Sequence, residues 1–231
     1  QIFCLQDVHF TKEQEQLIKQ QWGYNECYFS HYKSNARGTA VLFNNDFQFK
    51  VLDVLSDEKN GNYIILKLDI NENIYTLVNL YGPNTDDPEF YIHIKNKLET
   101  IDSEKVIICG DWNLVMDTNK DTFNYKHVNN PKARKELLDI IEILDLKDPW
   151  RELNPNERRF TWRQPTPLKQ SRLDFFLISH NLMYAVSDVD IIPSINSDHS
   201  VISITVTSSE IERGKGFWKF KIGRASCRER V

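Results

Sequence analysis

Short runs of apolar, β-branched and aromatic residues recur along the chain, and polar or turn-forming residues separate them. Runs of this kind are typical of β-strands, and Asn60-Gly61 is a strong hairpin-turn signal between two of them. Val106–Cys109 is apolar throughout, which predicts a strand that is buried on both faces. The pattern predicts strands at residues 1–5, 25–30, 38–43, 47–54, 62–69, 74–80, 106–109, 159–163, 172–178, 186–191 and 200–206.

Three segments carry helix signals instead. Thr11 and Gln14 form a capping-box pattern that predicts a helix to about Trp22, with Gly23 ending it. A second helix begins at Pro88 and a third at Pro131, the latter ending at about Leu144. Their predicted buried positions recur at helical spacing: Phe90, Tyr91, Ile94 and Leu98 in the second helix, and Leu137, Leu138, Ile141 and Leu144 in the third.

Strands dominate, and the helices fall between them without regular βαβ alternation. This order predicts an α/β (α+β) fold in which two packed, mostly antiparallel sheets carry helices on the outside. At 231 residues the chain is long enough for one domain with a large core. No apolar stretch approaches the ~20 residues needed to cross a bilayer.

Cysteine usage and net charge narrow the function. The four cysteines do not have the spacing of metal ligands. Cys4 and Cys109 lie in apolar runs, which predicts that they are small buried residues of a protein in a reducing compartment. The formal charge of −4 gives no global attraction to nucleic acid. A DNA-binding function must therefore depend on a local basic patch.

Two short motifs place carboxylates beside groups that handle protons or hydrogen bonds. Gly110-Asp111-Trp112-Asn113 directly follows the predicted buried strand, at the kind of strand end where α/β proteins collect chemistry. Ser197-Asp198-His199-Ser200 joins a hard anionic ligand to an imidazole. Together they suit metal-assisted attack of water on a phosphoester. Taken singly, each is also compatible with a plain turn or a structural histidine.

Five motifs in this order resemble those of the exonuclease–endonuclease–phosphatase superfamily, which includes apurinic/apyrimidinic endonucleases and DNase I. They are Leu5-Gln6-Asp7-Val8-His9, Leu80-Tyr81-Gly82-Pro83-Asn84, Gly110-Asp111-Trp112-Asn113, Ser171-Arg172-Leu173-Asp174 and Ser197-Asp198-His199. Within that group, residues 154–158 followed by Phe160-Thr161-Trp162 resemble the endonuclease domain of LINE-type non-LTR retrotransposons. Residues 214–219 are similar to the junction between that domain and its reverse transcriptase.

The resemblance implies a DNase I-like four-layer sandwich with its cleft across the strand ends at one edge. It also implies Mg²⁺, with Mn²⁺ as the alternative, bound by Asp7 and Asp198. The family usually has Glu at the position of Asp7, so this carboxylate is shorter by about 1.5 Å. By the same resemblance, Asp111 orients or deprotonates water, and Asn113 donates to that water or to the phosphate.

The remaining implied roles concern the phosphate. Tyr81 donates to a phosphate oxygen, His199 contacts the scissile phosphate, and Asp174 accepts from the other ring nitrogen of His199. Whether Asp111 or His199 is the formal base stays open. Thr161, Arg163, Lys169, Arg172 and Ser197 are the predicted substrate-binding residues, most of them around a proline-stiffened loop that in LINE endonucleases reaches into the DNA groove. The alternative is a solvated hairpin tip.

The predicted organisation has three parts. Residues 1–208 form the endonuclease domain without its first strand, which would precede Gln1 and leave neighbouring strands without ladder partners. Residues 209–220 are a linker toward a reverse transcriptase. Residues 221–231 resemble the translation of a DNA-sequencing adapter, with a genuine basic linker as the alternative. That segment holds four basic residues and one acidic residue, so residues 1–220 carry a formal charge of −7.

The function expected from the resemblance is a DNA endonuclease that nicks double-stranded target DNA and leaves a 3′-hydroxyl for the attached reverse transcriptase. Such an enzyme acts on chromosomal DNA in the nucleus after cytoplasmic assembly. Two alternatives stay open. One is a repair-type apurinic/apyrimidinic endonuclease or a phosphatase of the same fold. The other is a decayed element that is inactive or only binds DNA, as the shortened Asp7 suggests.

Overall fold

The computed structural model describes residues 1–207, except Asn25, Asn45, Asp102, Lys126 and Val128, and the backbone of residues 219–224. The strands are β1 (Ile2–Gln6), β2 (Cys27–Ser30), β3 (Thr39–Phe43), β4 (Lys50–Ser56), β5 (Tyr63–Ile70), β6 (Asn73–Tyr81), β7 (Val106–Asp111), β8 (Thr122–Phe123), β9 (Leu146–Lys147), β10 (Trp162–Pro165), β11 (Leu168–Ser171), β12 (Asp174–Ser179), β13 (Val186–Ile192), β14 (Val201–Val206) and β15 (Lys219–Arg224). The α-helices are α1 (Glu15–Trp22), α2 (Pro88–Ile101), α3 (Pro131–Ile143) and α4 (Pro149–Leu153), and 3₁₀ turns cover Lys12–Gln14 and His180–Ala185.

The strands form two large sheets and one small one. The first sheet has the order β13-β14-β15-β1-β3-β2, and the second has the order β4-β5-β6-β7-β12-β9. The third, β10-β11-β8, is a short sheet built around a hairpin. Pairing is antiparallel except between β1 and β15 and between β6 and β7.

The two large sheets pack face to face over the main apolar core, which includes Ile2 and Cys4 of the first sheet and Leu66 and Phe176 of the second. On the outer face of the second sheet, α2 and α3 cover a second core. Trp22 of α1 packs with Val8 and Leu42 on the outer face of the first sheet. These layers confirm the predicted DNase I-like sandwich.

Local sequence signals account for most helix boundaries. Thr11 donates its backbone N–H to Gln14 Oε1, and Gly23 ends α1 at a positive φ of 83°. The predicted face of α3 needs a correction, because Ala133, Leu137 and Ile140 are its buried residues. Leu138 is exposed, since the buried stripe follows the 3.6-residue period from Ala133. No helix in the described part of the chain is both long and apolar enough to cross a bilayer.

Strand β15 occupies the position between β14 and β1, running parallel to β1 and antiparallel to β14. The expectation that these neighbouring strands lack ladder partners is therefore wrong for this structure, because the backbone of residues 219–224 supplies the missing hydrogen bonds. The strand crosses the predicted boundary between the linker at 209–220 and the adapter-like segment at 221–231. Most of both segments, and Cys227, lie outside the described residues.

Gly110 allows β7 to lie against β6 directly before Asp111. Its φ is +152°, and a Cβ placed on it would lie 1.9 Å from the backbone oxygen of Leu80. Only a residue without a side chain fits there, so one glycine fixes the close approach of two strands at the end where the polar motifs collect.

We expect Gly110→Ala to lower the free energy of unfolding by about 3 kcal/mol or more, because the clash is with backbone that cannot rotate away. Gly23→Ala is the matched control: Gly23 also has a positive φ, but its Cβ would meet open space. The control should cost about 1 kcal/mol. Urea denaturation measures both variants, and equal losses would contradict the steric explanation.

Candidate active site

Three strands of the second sheet bring their polar ends to one edge. Asp111, the last residue of β7, pairs with Tyr81 at the end of the parallel strand β6. On its other side Asp111 pairs with Asp174, the first residue of the antiparallel strand β12. Two carboxylates and a phenol that are distant in sequence therefore share one corner of the sheet, and all three residues are buried.

His199 completes this group from the loop before β14. Its Nδ1 lies 2.8 Å from Asp174 Oδ2, and its Nε2 lies 3.9 Å from Asp111 Oδ2. Because an ionised carboxylate only accepts hydrogen bonds, Nδ1 carries the proton of the neutral ring and Nε2 faces Asp111 with its lone pair. The ligand atoms of Asp111, Asp174 and His199 all lie within 4.8 Å of one another. The structure thus brings together three of the predicted catalytic residues.

Thr161 holds both halves of the Asp174–His199 pair. Its Oγ1 accepts hydrogen bonds from the backbone N–H groups of Leu173 and Asp174, both at 2.9 Å, and its carbonyl accepts from Ser200 at 2.6 Å. Its side chain is fully buried. The prediction of a substrate contact at Thr161 is corrected by this geometry, since the residue has the burial and the partners of a positioning residue.

The loop that carries His199 is anchored on the neighbouring hairpin. Asp198 accepts from Trp162 Nε1 through its carboxylate and from the Arg163 backbone N–H through its carbonyl, both at 3.0 Å. Ser197 Oγ accepts from the backbone N–H of His199, again at 3.0 Å. The side chain of Ser197 therefore shapes this turn, while the exposed guanidinium of Arg163 lies 3.3 Å from Ser200 Oγ.

Asn113 is fixed in a left-handed conformation at φ +51° by its neighbours. Its backbone N–H donates to Asp111 Oδ1 at 3.0 Å, which orients that carboxylate. Its side-chain amide donates to the carbonyl of Gly82 at 2.8 Å. An amide group has two N–H donors, so one remains for the water or phosphate that the sequence predicted as its partner.

A cleft of about 290 Å³ opens beside His199. It is lined by Asn84, Asn113, Tyr125, Asn129, Asn130, Trp162, Leu173 and His199. Lys169 lies beside the cleft, since its Nζ is 5.9 Å from the centre of the Tyr125 ring. The phenol of Tyr125 is hydrogen-bonded to Ser171 Oγ. The cleft is walled by amides and two aromatic rings, which suits a polar, planar or sugar-like group next to the imidazole.

The predicted metal ligands lie near this edge but outside the three-residue cluster. Asp7 Oδ1 accepts from the Arg37 backbone N–H at 2.9 Å and lies 3.1 Å from His9 Nε2. Asp198 is exposed and engages Trp162. Carboxylate oxygens are the ligands that hard divalent cations prefer in proteins. The donor chemistry therefore fits Mg²⁺ or Mn²⁺.

Arg172 is not at the surface, which corrects the prediction that it meets phosphate. Its side chain is 2% exposed and donates to Asp121 at 2.8 Å and to Asp148 at 2.7 Å. Arg151 adds a second contact to Asp121 at 2.6 Å, so the four charges balance. The guanidinium also lies 5.3 Å from the ring centres of both Trp150 and Phe175. This buried network braces the segment that leads into Asp174.

The pKa values of the network follow from its geometry. Burial alone would raise the pKa of Asp121, but hydrogen bonds and charge from Arg172 and Arg151 outweigh burial and hold that pKa below its usual value. Burial disfavours the charge on Arg172, yet Asp148 and Asp121 more than compensate and raise the pKa of the guanidinium. Asp121 and Arg172 therefore both stay ionised at neutral pH.

Comparison with known proteins identifies the class of this site. A family model described as the endonuclease/exonuclease/phosphatase family matches residues 1–199. The chain belongs to this family. Family membership supports hydrolase activity of the nuclease type.

Individual proteins are also similar to the chain. It is 29% identical over 221 residues to the transposon TX1 uncharacterized 149 kDa protein of Xenopus laevis, in a match that covers 94% of this chain and 16% of that protein. The AP endonuclease LMAP of Leishmania major shares the fold with a TM-score of 0.73 at 17% identity, over 90% of this chain and 78% of that one. The endonuclease domain of TRAS1, a telomere-specific non-LTR retrotransposon, does so with a TM-score of 0.62 at 13% identity, over 90% and 99%. These findings confirm the predicted resemblance to retrotransposon endonucleases.

The sequence did not reveal Asp121 and Asp148 as the buried partners of Arg172. Asp148 has a readable signal, since Asp-Pro at a helix start predicts an N-cap, and Asp148 does accept from the Arg151 backbone. Asp121 has none, because its partner Arg172 is 51 residues away. The pairing becomes visible only when β12 and the loop before β8 are brought together in space.

We expect Arg172→Met to lower the free energy of unfolding by about 3 to 5 kcal/mol, because it leaves a buried carboxylate uncompensated. Adding Asp148→Asn should restore at least about 1 kcal/mol, since charge balance returns. Arg159→Met is the control, because Arg159 and its partner Asp190 are far more exposed; its loss should stay within about 1 kcal/mol. Urea denaturation tests this, and a double variant no better than Arg172→Met would contradict it.

The lowered pKa of Asp121 also predicts a pH dependence. A carboxyl group whose folded pKa is depressed adds stability above its unfolded pKa of about 3.9, and this stability is lost as pH falls further. The stability difference between the wild type and Asp121→Asn should therefore narrow below about pH 4. Denaturation at a series of pH values measures it, and a difference that stays constant would show that Asp121 does not titrate with folding.

Proposed function

We propose that this chain is a metal-dependent DNA endonuclease that nicks double-stranded target DNA and leaves a 3′-hydroxyl as the primer for reverse transcription. The observation that carries the proposal is the buried Asp174–His199 pair, which aims the imidazole Nε2 at Asp111 across 3.9 Å. Family membership supports a nuclease, and the likeness to a transposon protein supports the retrotransposon setting.

The reaction needs one water, one phosphodiester and two proton transfers. Water attacks phosphorus, the bond from phosphorus to the 3′ oxygen breaks, the 5′ side keeps the phosphate, and the 3′ oxygen takes up a proton. His199 Nε2 and Asp111 Oδ2 lie 3.9 Å apart. One oxygen atom beside the line that joins them can therefore form a hydrogen bond of about 2.8 Å with each. We place an oxygen of the reacting water between Asp111, which accepts a hydrogen bond from it, and the imidazole of His199.

Each neighbour supports that arrangement. Asp174 keeps Nδ1 as the protonated nitrogen of His199, so Nε2 accepts a proton when the ring is neutral and donates one when it is charged. Asn113 fixes the rotation of the Asp111 carboxylate and offers its free amide N–H to the substrate. Tyr81 lies beside Asp111 at the end of β6, where its phenol is proposed to donate to a phosphate oxygen.

A divalent cation, Mg²⁺ or Mn²⁺, would be held by the carboxylates of Asp7 and Asp198. When bound, it supplies positive charge that stabilises the developing negative charge on the phosphoryl group and the leaving oxygen. Ser197 keeps the Asp198-His199 turn in shape, and the Arg37 backbone keeps Asp7 in place. Lys169 and the exposed Arg163 are proposed to contact DNA phosphates from the hairpin.

The proposed partners follow from the same setting. Double-stranded DNA is the substrate, and a reverse transcriptase downstream in the same polyprotein would extend the nick. The chain spans 16% of the length of the transposon TX1 protein that it matches. A chain that nicks chromosomal targets would act in the nucleus, after assembly in the cytoplasm.

A second function is favoured by one observation. The fold is shared with the AP endonuclease of Leishmania major, and Trp162 and Leu173 line the cleft beside His199. An apolar wall of this kind could receive a sugar that lacks its base. A repair-type apurinic/apyrimidinic endonuclease is therefore the alternative to test, and an inactive element is the remaining one.

We expect the chain to nick supercoiled plasmid in Mg²⁺ and to stop when EDTA removes the metal. Asp111→Asn and His199→Ala should each reduce nicking about 100-fold or more, because each removes a group at the reacting oxygen. Asp188→Asn, an exposed carboxylate on β13, is the matched control and should leave the rate unchanged.

The same assay separates the candidates. Cutting of intact duplex at preferred sequences supports the retrotransposon enzyme, whereas a strong preference for abasic duplex supports the repair enzyme. Nicking that survives both active-site substitutions, or no nicking by the wild type, would refute an enzyme built on Asp111 and His199.

A further inference from the structure

A basic and aromatic patch is formed by side chains to which no role has been assigned above. Tyr32 is 37% exposed, and two cations flank its ring: Lys33 Nζ lies 5.1 Å and Arg37 Cζ lies 5.1 Å from the ring centre. At these distances the face of the ring attracts both charges. We define Tyr32, Lys33 and Arg37 as the Tyr32 patch.

The backbone presents the patch in a fixed form. Lys33 and Ala36 exchange backbone hydrogen bonds in both directions, at 3.4 and 3.3 Å, so a tight turn separates the two cations. Arg37 is further fixed through its carbonyl, which accepts from the His9 backbone at 3.0 Å. The cations are therefore held at the two ends of one turn, and binding would cost little additional ordering of the backbone.

The patch lies at the same edge of the sandwich as the candidate active site. Its Arg37 backbone N–H donates to Asp7, which directly follows β1. Gln6, the last residue of β1, contacts Asn79 of β6 at 2.6 Å, and β6 ends two residues later at Tyr81. A ligand that runs across the strand ends from His199 past Tyr81 would reach the turn that carries Tyr32.

Among the residues that the structure describes, neither the Lys33 ammonium nor the Arg37 guanidinium forms an ion pair with a carboxylate. The whole chain carries a formal charge of −4, so a duplex is repelled overall and needs local cations to bind. Two cations fixed beside one exposed ring meet this requirement.

We infer that the Tyr32 patch is a phosphate-backbone contact for duplex DNA, on the side of the cleft opposite the β10–β11 hairpin. Lys33 and Arg37 each meet one backbone phosphate, and Tyr32 holds both cations in the binding position. The contact is independent of base sequence, since phosphates carry none. This inference rests on the proposed function, because it takes DNA as the substrate of the neighbouring site.

The test is the salt dependence of DNA binding, measured by fluorescence anisotropy with a labelled duplex in EDTA, so that no strand is cut. A plot of log K against log salt has a negative slope, and the magnitude of this slope decreases by about 0.9 for each phosphate that the protein no longer neutralises. We expect the double variant Lys33→Gln/Arg37→Gln to reduce the magnitude of the slope by about 1.8 and to weaken binding at least about tenfold at low salt. Circular dichroism and thermal melting should show an unchanged fold.

Lys105→Gln is the matched control. Lys105 also lies over a tyrosine, 5.5 Å from the Tyr75 ring, but it directly precedes β7 and so lies at the end of that strand remote from Asp111. Its slope should equal that of the wild type. An unchanged slope in the double variant, or an equal fall in the control, would overturn the inference.

The binding and nicking measurements distinguish an error in the Tyr32 patch inference from an error in the proposed function. If the wild type and the double variant bind duplex with the same slope and nick plasmid equally well, the patch is wrong and the endonuclease stands. If the wild type binds no duplex at all, both are wrong. Tyr32→Phe, which keeps the ring, should bind like the wild type, and a weakening equal to that of the double variant would show that the phenol rather than the cations binds the phosphates.

Discussion

The position of β7 between β6 and β12 is the constraint on which the site depends. Parallel pairing on one side and antiparallel pairing on the other place Tyr81, Asp111 and Asp174 at one corner. A shift of one residue in either register would turn a side chain to the opposite face of the sheet. Gly110 secures the close approach of β7 to β6. The backbone of Trp112 then donates to Leu173, which closes the corner behind Asp111.

Rigidity at this corner comes from buried polar groups as well as from apolar packing. Thr161 links the start of β12 to the turn that carries His199. The ion pairs of Arg172 hold the residues that lead into β12. The Trp112 and Phe175 rings stack at 5.0 Å beside it. Desolvating so many polar groups stabilises the fold only when every partner is present. The benefit is an imidazole whose orientation is fixed before any substrate arrives.

The sequence predicted the layers, most strands and the meeting of Asp111, Asp174 and His199, because the hydrophobic period and the motifs can be read directly from the chain. It predicted the wrong face for part of α3, where neighbouring apolar residues such as Leu137 and Leu138 compete for burial. It also read Arg172 as a surface cation, since nothing nearby in the chain reveals Asp121 as its partner. Tyr32 carried no motif at all. Long-range ion pairs and patches depend on how distant segments meet, and a single sequence does not encode that in any short pattern.

The proposed chemistry depends on which nitrogen of the His199 ring carries the proton, and nitrogen-15 NMR of labelled histidine measures this directly. When the ring is neutral, His199 should show a protonated Nδ1 and an unprotonated Nε2, because Asp174 accepts from Nδ1 at 2.8 Å. A protonated Nε2, or a ring that exchanges freely between both tautomers, would mean that Asp174 does not orient His199. The proposed chemistry at Asp111 would then lose its basis.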